Sequence, residues 1–247
     1  ILTIDGSVYA FGDNSSGQLG DGTTNSTNTP TQINIDDVAQ ISAGSHHNLI
    51  LKTDGSLHTF GRNINGQLGV GDTNDRTTPT QILTDVAQIS AGALHSLILT
   101  TDGSLYAFGE NQDGQFGDGT TNNQTTPTKI DIDDVVQIYA GYQHSLILKT
   151  DGFVYATGRN DRGQLGDGTN NDRTTPIKIE IANVAKLPDQ VLNWAPVITQ
   201  GDGPLTKIIN EDNNATWTAS DLNATDPDGN ASSLEWFLLS SPTNGSI

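Results

Sequence analysis

The chain has 247 residues, 27 of them glycine and 9 proline, with 33% apolar residues, no cysteine, no methionine, and 29 acids against 11 bases for a formal charge of −18. No run approaches the roughly 18 apolar residues of a membrane helix, so membrane insertion is not expected, and without cysteine there is no disulfide, thiolate metal site or thiol nucleophile. The charge repels phosphate backbones and the bases stand as singles, which argues against nucleic acid as a partner.

Taken in order, the chain repeats itself. An Asp-Gly pair stands at Asp5-Gly6, Asp54-Gly55, Asp102-Gly103 and Asp151-Gly152, and Gly-Gln-Leu/Phe-Gly begins at Gly17, Gly66, Gly114 and Gly163. A Thr-Pro follows with its proline at Pro30, Pro79, Pro127 and Pro176, and Ala-Gly-x-x-His ends at His47, His95 and His144. Every series advances by 49 or 48 residues, the mark of an architecture in which each unit buries its faces on the next.

Within a unit the pattern is that of strands. Residues 48–53 and 56–60 flank Asp54-Gly55, which predicts a two-residue hairpin with both central positions at positive φ. Further strands are expected near residues 80–83 and 86–90, giving three or four per unit. In the third unit Leu105 and Ala107 point to one face and Tyr106 and Phe108 to the other, so the sheet is apolar on both sides. A sandwich covers only one face of each sheet, whereas radially stacked blades cover both. The expected class is therefore all-β and the architecture a β-propeller.

The third unit reads Asp102-Gly103-Ser104-Leu105-Tyr106-Ala107-Phe108-Gly109, then Asp113-Gly114-Gln115-Phe116-Gly117-Asp118-Gly119, then Thr125-Thr126-Pro127-Thr128, then Val-Val-Gln-Ile-Tyr-Ala-Gly-Tyr-Gln-His-Ser-Leu over residues 135–146. This order of motifs resembles the regulator of chromosome condensation repeat of bacterial type, over residues 1–187. The resemblance implies a seven-bladed propeller, of which these residues supply about four blades. No Ala-Gly-x-x-His precedes Ile1, and Leu187-Pro188-Asp189 replaces the expected continuation after Val184-Ala185-Lys186. With no Met at its start, the chain reads as a fragment, and missing blades of the same polypeptide are expected partners of its ends.

Past Leu187 the composition shifts. Residues 188–247 hold 8 acids and 1 base, a net of −7, against 21 acids and 10 bases, a net of −11, in residues 1–187. Residues 188–204 read as a linker. Residues 205–247, with short runs between Asp/Gly/Asn turns, resemble a truncated cadherin-like or Ig-like domain, an incomplete β-sandwich of the sort repeated in large bacterial surface and secreted proteins. Glu211, Asp212, Asp226, Asp228 and Asn230 are the candidate metal ligands here, because oxygen donors at alternate positions of a turn suit Ca²⁺. The same residues also suit a solvated turn.

No catalytic residue is nominated. His47, His95 and His144 occupy one place in three units, and a catalytic group is needed once whereas a packing group is needed in every blade. Their imidazoles are expected to bond backbone of their own or a neighbouring blade, while the unrepeated His46 and His58 are expected at the surface. The Gly-rich segments lack the Gly-Lys-Ser/Thr ending of a phosphate loop, and Asp21, Asp118 and Asp167, each followed by Gly and Thr, suit Asx-turns. What remains is a non-enzymatic protein-binding or adhesion module of a large secreted or cell-surface protein, its ligand a protein or surface glycan. Contact residues are expected where the units differ most: Ser15-Ser16, Ile64-Asn65, Gln112-Asp113 and Asp161-Arg162. The family resemblance also implies two alternatives, guanine-nucleotide exchange on a small GTPase and a secreted enzyme inhibitor.

If the tail carboxylates hold Ca²⁺ with the roughly 10⁻⁴ to 10⁻³ M affinity of extracellular modules, millimolar calcium stabilises the tail by about 1 kcal/mol. The expected outcome is a higher melting temperature for the tail transition in calcium than in chelator, abolished by Asp226→Asn with Asp228→Asn. Equal melting temperatures would leave a solvated turn.

Overall fold

Apolar residues at alternate positions between Asp-Gly and Gly-rich turns make short strands, and all the strands among the described residues pair antiparallel with their sequence neighbours. The computed structural model describes residues 1–181 and 184–187. The five candidate metal ligands, the linker and the expected sandwich lie outside the described residues. Strands β1 (Tyr9–Gly12) and β2 (Thr27–Gln32) form a two-stranded sheet, extended by a bridge between Leu2 and Val8. Three complete four-stranded blades follow. The first is β3 (Val38–Ala43), β4 (His47–Lys52), β5 (Leu57–Gly61) and β6 (Arg76–Leu83). The second is β7 (Val86–Ala91), β8 (His95–Thr100), β9 (Leu105–Gly109) and β10 (Gln124–Ile130), and the third β11 (Val135–Ala140), β12 (His144–Lys149), β13 (Val154–Gly158) and β14 (Arg173–Lys178). The expected four blades are thus three whole ones and a partial one at the N-terminal end.

Successive blades meet through their first and second strands, which places β3, β7 and β11 on the inside of the arc. The two faces of β9 divide as the alternation demands. Leu105 and Ala107 join Leu97, Val135, Ile138 and Ile147 in the layer between second and third blades. Phe108 and Tyr106 join Leu49, Leu57, Ile89 and Ile98 in the layer between first and second. Each such Leu, Ile or Phe is worth about 1.5–3 kcal/mol when fully buried, whereas an ion pair such as Lys52 with Asp36, whose carboxylate side chain is 87% exposed, is screened by water and adds little. The apolar layers between blades hold the arc together.

The Asp-Gly turns differ from expectation. Gly6, Gly55, Gly103 and Gly152 have φ of +83°, +82°, +83° and +76°, but their aspartates keep ordinary negative φ. The Asp54 carboxylate accepts from the Ser56 N–H at 2.9 Å and its hydroxyl at 2.6 Å, closing an Asx-turn. The connection is therefore four residues, 53–56, with only the glycine in the left-handed region, as in a type I turn with a bulge. An acceptor two residues back satisfies Ser56 without the second strained position.

At Gly103 no heavy atom would come within 4 Å of an added Cβ, so a substitution there reports conformational strain alone. Gly103→Val should destabilise by about 1–3 kcal/mol in denaturant unfolding, and Gly103→Asn by clearly less, because Asn tolerates positive φ. Equal stability of the Val variant and the wild type would contradict the turn assignment.

Candidate functional site

The long loop joining the third and fourth strands of each blade is built on one asparagine. Asn14, Asn63, Asn111 and Asn160 are all fully buried. Each Oδ1 accepts the N–H of the Leu or Phe five residues on, at 2.9 Å for Leu19, Leu68 and Phe116 and 3.0 Å for Leu165. Each Nδ2 donates to a carbonyl across the loop, those of Thr23, Asp72, Thr120 and Thr169. Asp21, Asp118 and Asp167 close the expected Asx-turns by accepting from Thr23, Thr120 and Thr169 at 2.9 Å, and Asp72 does the same for Asn74. Arg76 holds the Asp72 carboxyl down at about 2.

Between the asparagine and the Gly-Gln pair stand the two residues at which the repeats differ most. The second of each pair is fixed by the following glutamine, whose Oε1 accepts the N–H of Ser16, Asn65, Asp113 or Arg162 at 2.8–3.0 Å. Ser15, Ile64, Gln112, Asp161 and Arg162 are exposed, and Ser16, Asn65 and Asp113 half-buried. The turn between first and second strands lies on the same end of each blade, since the carbonyls of His46, Leu94 and Gln143 accept the N–H of Arg62, Glu110 and Arg159. Tyr142 on that turn is 71% exposed. The structure thus brings the four variable pairs to one rim on rigid supports. All five arginines of the chain, Arg62, Arg76, Arg159, Arg162 and Arg173, belong to these loops or the strand starts that follow them. Where the rims of the second and third blades meet, burial raises the carboxyl pKa of Glu110 and of Asp113, with Asp113 adding to the shift at Glu110 and Asp172 to that at Asp113. Arg159 stands beside them, bonded to Gln143 and Asp161.

The repeated histidines take no part in this rim. His47 and His95 are buried, and each Nε2 meets a serine hydroxyl of the next blade, Ser96 at 3.1 Å and Ser145 at 3.2 Å. Those hydroxyls donate onward to the carbonyls of Gln67 and Gln115. The serine proton being used, Nε2 must carry the hydrogen and Nδ1 is a bare acceptor with no partner. The expected bond to backbone is replaced by this relay, which reaches backbone one step later. The packing role stands. An added Cβ on Gly44 or Gly92 would lie 2.3 Å from the ring, which accounts for the glycine in Ala-Gly-x-x-His. His46 and His58 are half-buried, not at the surface as expected. Among the described residues no group of three or more His, Cys, Asp and Glu is arranged to hold a metal.

Blades of four antiparallel strands, apolar on both faces and stitched by relays into an arc, define a β-propeller of the repeat type. A family model described as the RCC1-like domain matches residues 1–195, and the chain belongs to that family. Solved structures agree. Human WBSCR16 is 26% identical with a TM-score of 0.66, over 73% of this chain and 50% of that one. Yeast RCC1 (Prp20), solved bound to Kap60, is 27% identical with a TM-score of 0.64, over 71% of this chain and 45% of that one. Prp20p from Saccharomyces cerevisiae, described with its binding properties to Gsp1p and histones, is 28% identical with a TM-score of 0.65, over 73% and 48%. This chain spans about half the length of these proteins.

Sequence reasoning passed over the buried asparagines, although Asn14, Asn63, Asn111 and Asn160 recur with the same period as the motifs beside them. It also passed over Asp37, Asp85 and Asp134, which stand before each first strand at φ of 54°, 59° and 61°.

Burial pushes His47 down to about 4 and His95 to about 3, helped by His46 in the first case and by His47 and His144 in the second. Below about pH 6.5 the unfolded imidazole takes a proton that the folded one refuses, so stability is lost as pH falls through that window by about 1.4 kcal/mol per pH unit for each histidine. A His95→Gln variant should lose stability less steeply than wild type between pH 6 and 4 by about that slope, measured by denaturant unfolding. Parallel slopes would mean that His95 is charged in the fold.

Proposed function

We propose that this chain is a non-enzymatic protein-binding module, one part of a larger modular protein that is secreted or held at the cell surface, and that it binds through the rim. The observation that carries the reading is the contrast within every repeat. A frame of Asn, Gln and Gly is the same in each loop, while the two residues it presents are Ser-Ser, Ile-Asn, Gln-Asp and Asp-Arg. Rigid support lowers the entropy cost of binding, and the exposed Ile64, Tyr142 and Arg162 side chains are the kinds of group that dominate protein interfaces. The relatives add weight, since yeast RCC1 was solved bound to Kap60 and Prp20p was described with its binding to Gsp1p and histones. For the extracellular placement the support is the acidic tail and its resemblance to cadherin-like domains. A surface glycan is the other ligand class the rim would suit.

The test is chemical cross-linking of a captured partner, with wild type compared with a variant changed at Ser15, Ser16, Ile64, Asn65, Gln112, Asp113, Asp161 and Arg162. Cross-links should map to the rim, and the variant should bind about tenfold or more weakly while melting as wild type does. A partner held equally well by the variant would place binding elsewhere.

A further inference from the structure

The notch where the rims of the second and third blades meet differs from the notch between first and second, and the repeat allows the two to be compared position by position. In the earlier notch Arg62 and Asn65 stand on one side, Gln112 and Asn123 on the other. In the later one the same places hold Glu110 and Asp113, then Asp161 and Asp172. All four have become carboxylates. Both notches lie between whole blades, so the difference is one of side chains alone.

These acids are not equally provided for. Arg159 donates to the Asp161 carboxylate at 2.6 Å and also to Gln143 Oε1, and Arg162 adds to the hold on Asp161. Asp172 accepts the Asn160 N–H at 2.6 Å. Asp113 is half-buried, and its burial, with the charges of Asp172 and Asp161 beside it, outweighs the attraction of Arg159, so its carboxyl is raised. Glu110 is the deepest of the four, 8% exposed. Burial and the Asp113 charge raise its carboxyl, against a hydrogen bond from Gln143. Its Oε2 is buried with no partner. The two side chains that act on this carboxyl, Gln143 and Asp113, both belong to the notch, which places the unpartnered oxygen on the notch floor.

A buried carboxylate oxygen with neither donor nor counter-charge is costly, and a cation that reached it would offset the cost. A divalent metal would need six or more converging oxygens, and no group of three or more acids or histidines among the described residues is arranged to hold one. A guanidinium or ammonium group needs only one or two acceptors, brings its own charge and is slender enough for a narrow opening. Tyr142, next to Gln143 in the chain and 71% exposed, supplies an aromatic ring on the same turn, a surface over which cations settle. The turn itself is fixed, since the Tyr142 carbonyl accepts the Ala93 N–H of the second blade at 3.1 Å.

We propose that this notch receives a basic side chain, arginine or lysine, of the protein partner, with Glu110 as its anchor. The assignment rests on the rim reading given above, but Glu110 is not one of the eight tip residues named there, so the two can fail separately.

The probes are N-acetylarginine methylamide, its lysine counterpart and its uncharged norleucine counterpart, each titrated into the whole chain while the amide resonances of Asp113, Tyr142 and Gln143 are followed by NMR. Both basic probes should give saturable shifts confined to the notch, with a dissociation constant on the order of 10 mM, and norleucine none. Glu110→Gln keeps the shape and the bond to Gln143. It should melt no lower than wild type at pH 7, because a buried charge is lost, yet bind the basic probes roughly tenfold or more weakly. Asp113→Asn, which copies Asn65 of the earlier notch, should weaken them about threefold. Affinity unchanged by Glu110→Gln, shifts spread over the acidic surface without saturation, or no shifts at all would overturn the proposal. Saturable binding in the notch, with a captured partner cross-linked elsewhere, would uphold the cation site and sink the rim reading. Cross-links on the rim without probe binding would do the reverse.

Discussion

Each blade is a sheet with apolar side chains on both faces, and water is tolerable on neither. A neighbour on each side is the only arrangement that buries both, so the stacking of blades is forced before any polar contact is considered. The layers between blades hold the largest buried side chains, Phe60, Phe108 and Phe116 among them, at 2% exposure or less. From this follow the short strands, since a blade need be only as tall as its layer, and the position of β3, β7 and β11 on the inside of the arc.

Apolar burial is non-directional, and a sheet that slides by one position along its neighbour would still bury carbon. The polar contacts between blades forbid the slide. Ser42 accepts the Ala91 N–H and Ser90 the Ala140 N–H at 2.9 and 2.6 Å, one blade apart each time. Gln88 grips the next first strand at both Val136 and Ile138, and Gln137 does the same at Leu187. The His–Ser–carbonyl relay adds a third fix on the rim side. The serine and histidine groups among them are buried, so a shifted register would leave several of these unpaired at about 1–3 kcal/mol each. The layers supply the energy and the polar links the register. The bare Nδ1 of His47 and His95 is the cost of this choice, and the burial of these rings is what ties stability to pH.

Much of this was legible in the sequence because the repeat prints the same physics four times. The two-faced alternation of residues 105–108 led directly to stacked blades, and recurrence removed the histidines from the candidate active groups. What escaped was of two kinds. The Asp-Gly turn was read as two strained positions because the dipeptide fits both turn types, and only the carboxylate bond to Ser56 decides between them. Asn63 and its equivalents were overlooked because a lone polar residue between variable ones looks like loop. Its burial depends on groups up to 12 residues away, such as the Asp75 carboxylate that accepts the Asn63 N–H, which spacing alone does not display. The tail motif had no repeat to check it against.

The asparagine frame also explains why the rim can vary. In most loops the tip residues share in holding the turn, so changing them costs stability. Here the load falls on Asn, Gln and Gly, with the asparagine fully buried in every loop, and the tip side chains other than Asp161 have few structural duties. The charges follow the same division. Lysines among the described residues, such as Lys52, Lys149 and Lys178, lie at strand ends on the side of the Asp-Gly turns, while every arginine lies on the rim side. Arg76 and Arg173 are occupied there with Asp72 and Asp167, so they stiffen the loops that carry the tips. Arg159 links Gln143 to Asp161 and so ties the inner turn to the outer loop of one blade. A planar, multiply donating guanidinium suits bridging of this kind, which an ammonium group does less well. Rigidity is thus concentrated on the face whose surface residues differ most from repeat to repeat, the combination that a recognition surface requires.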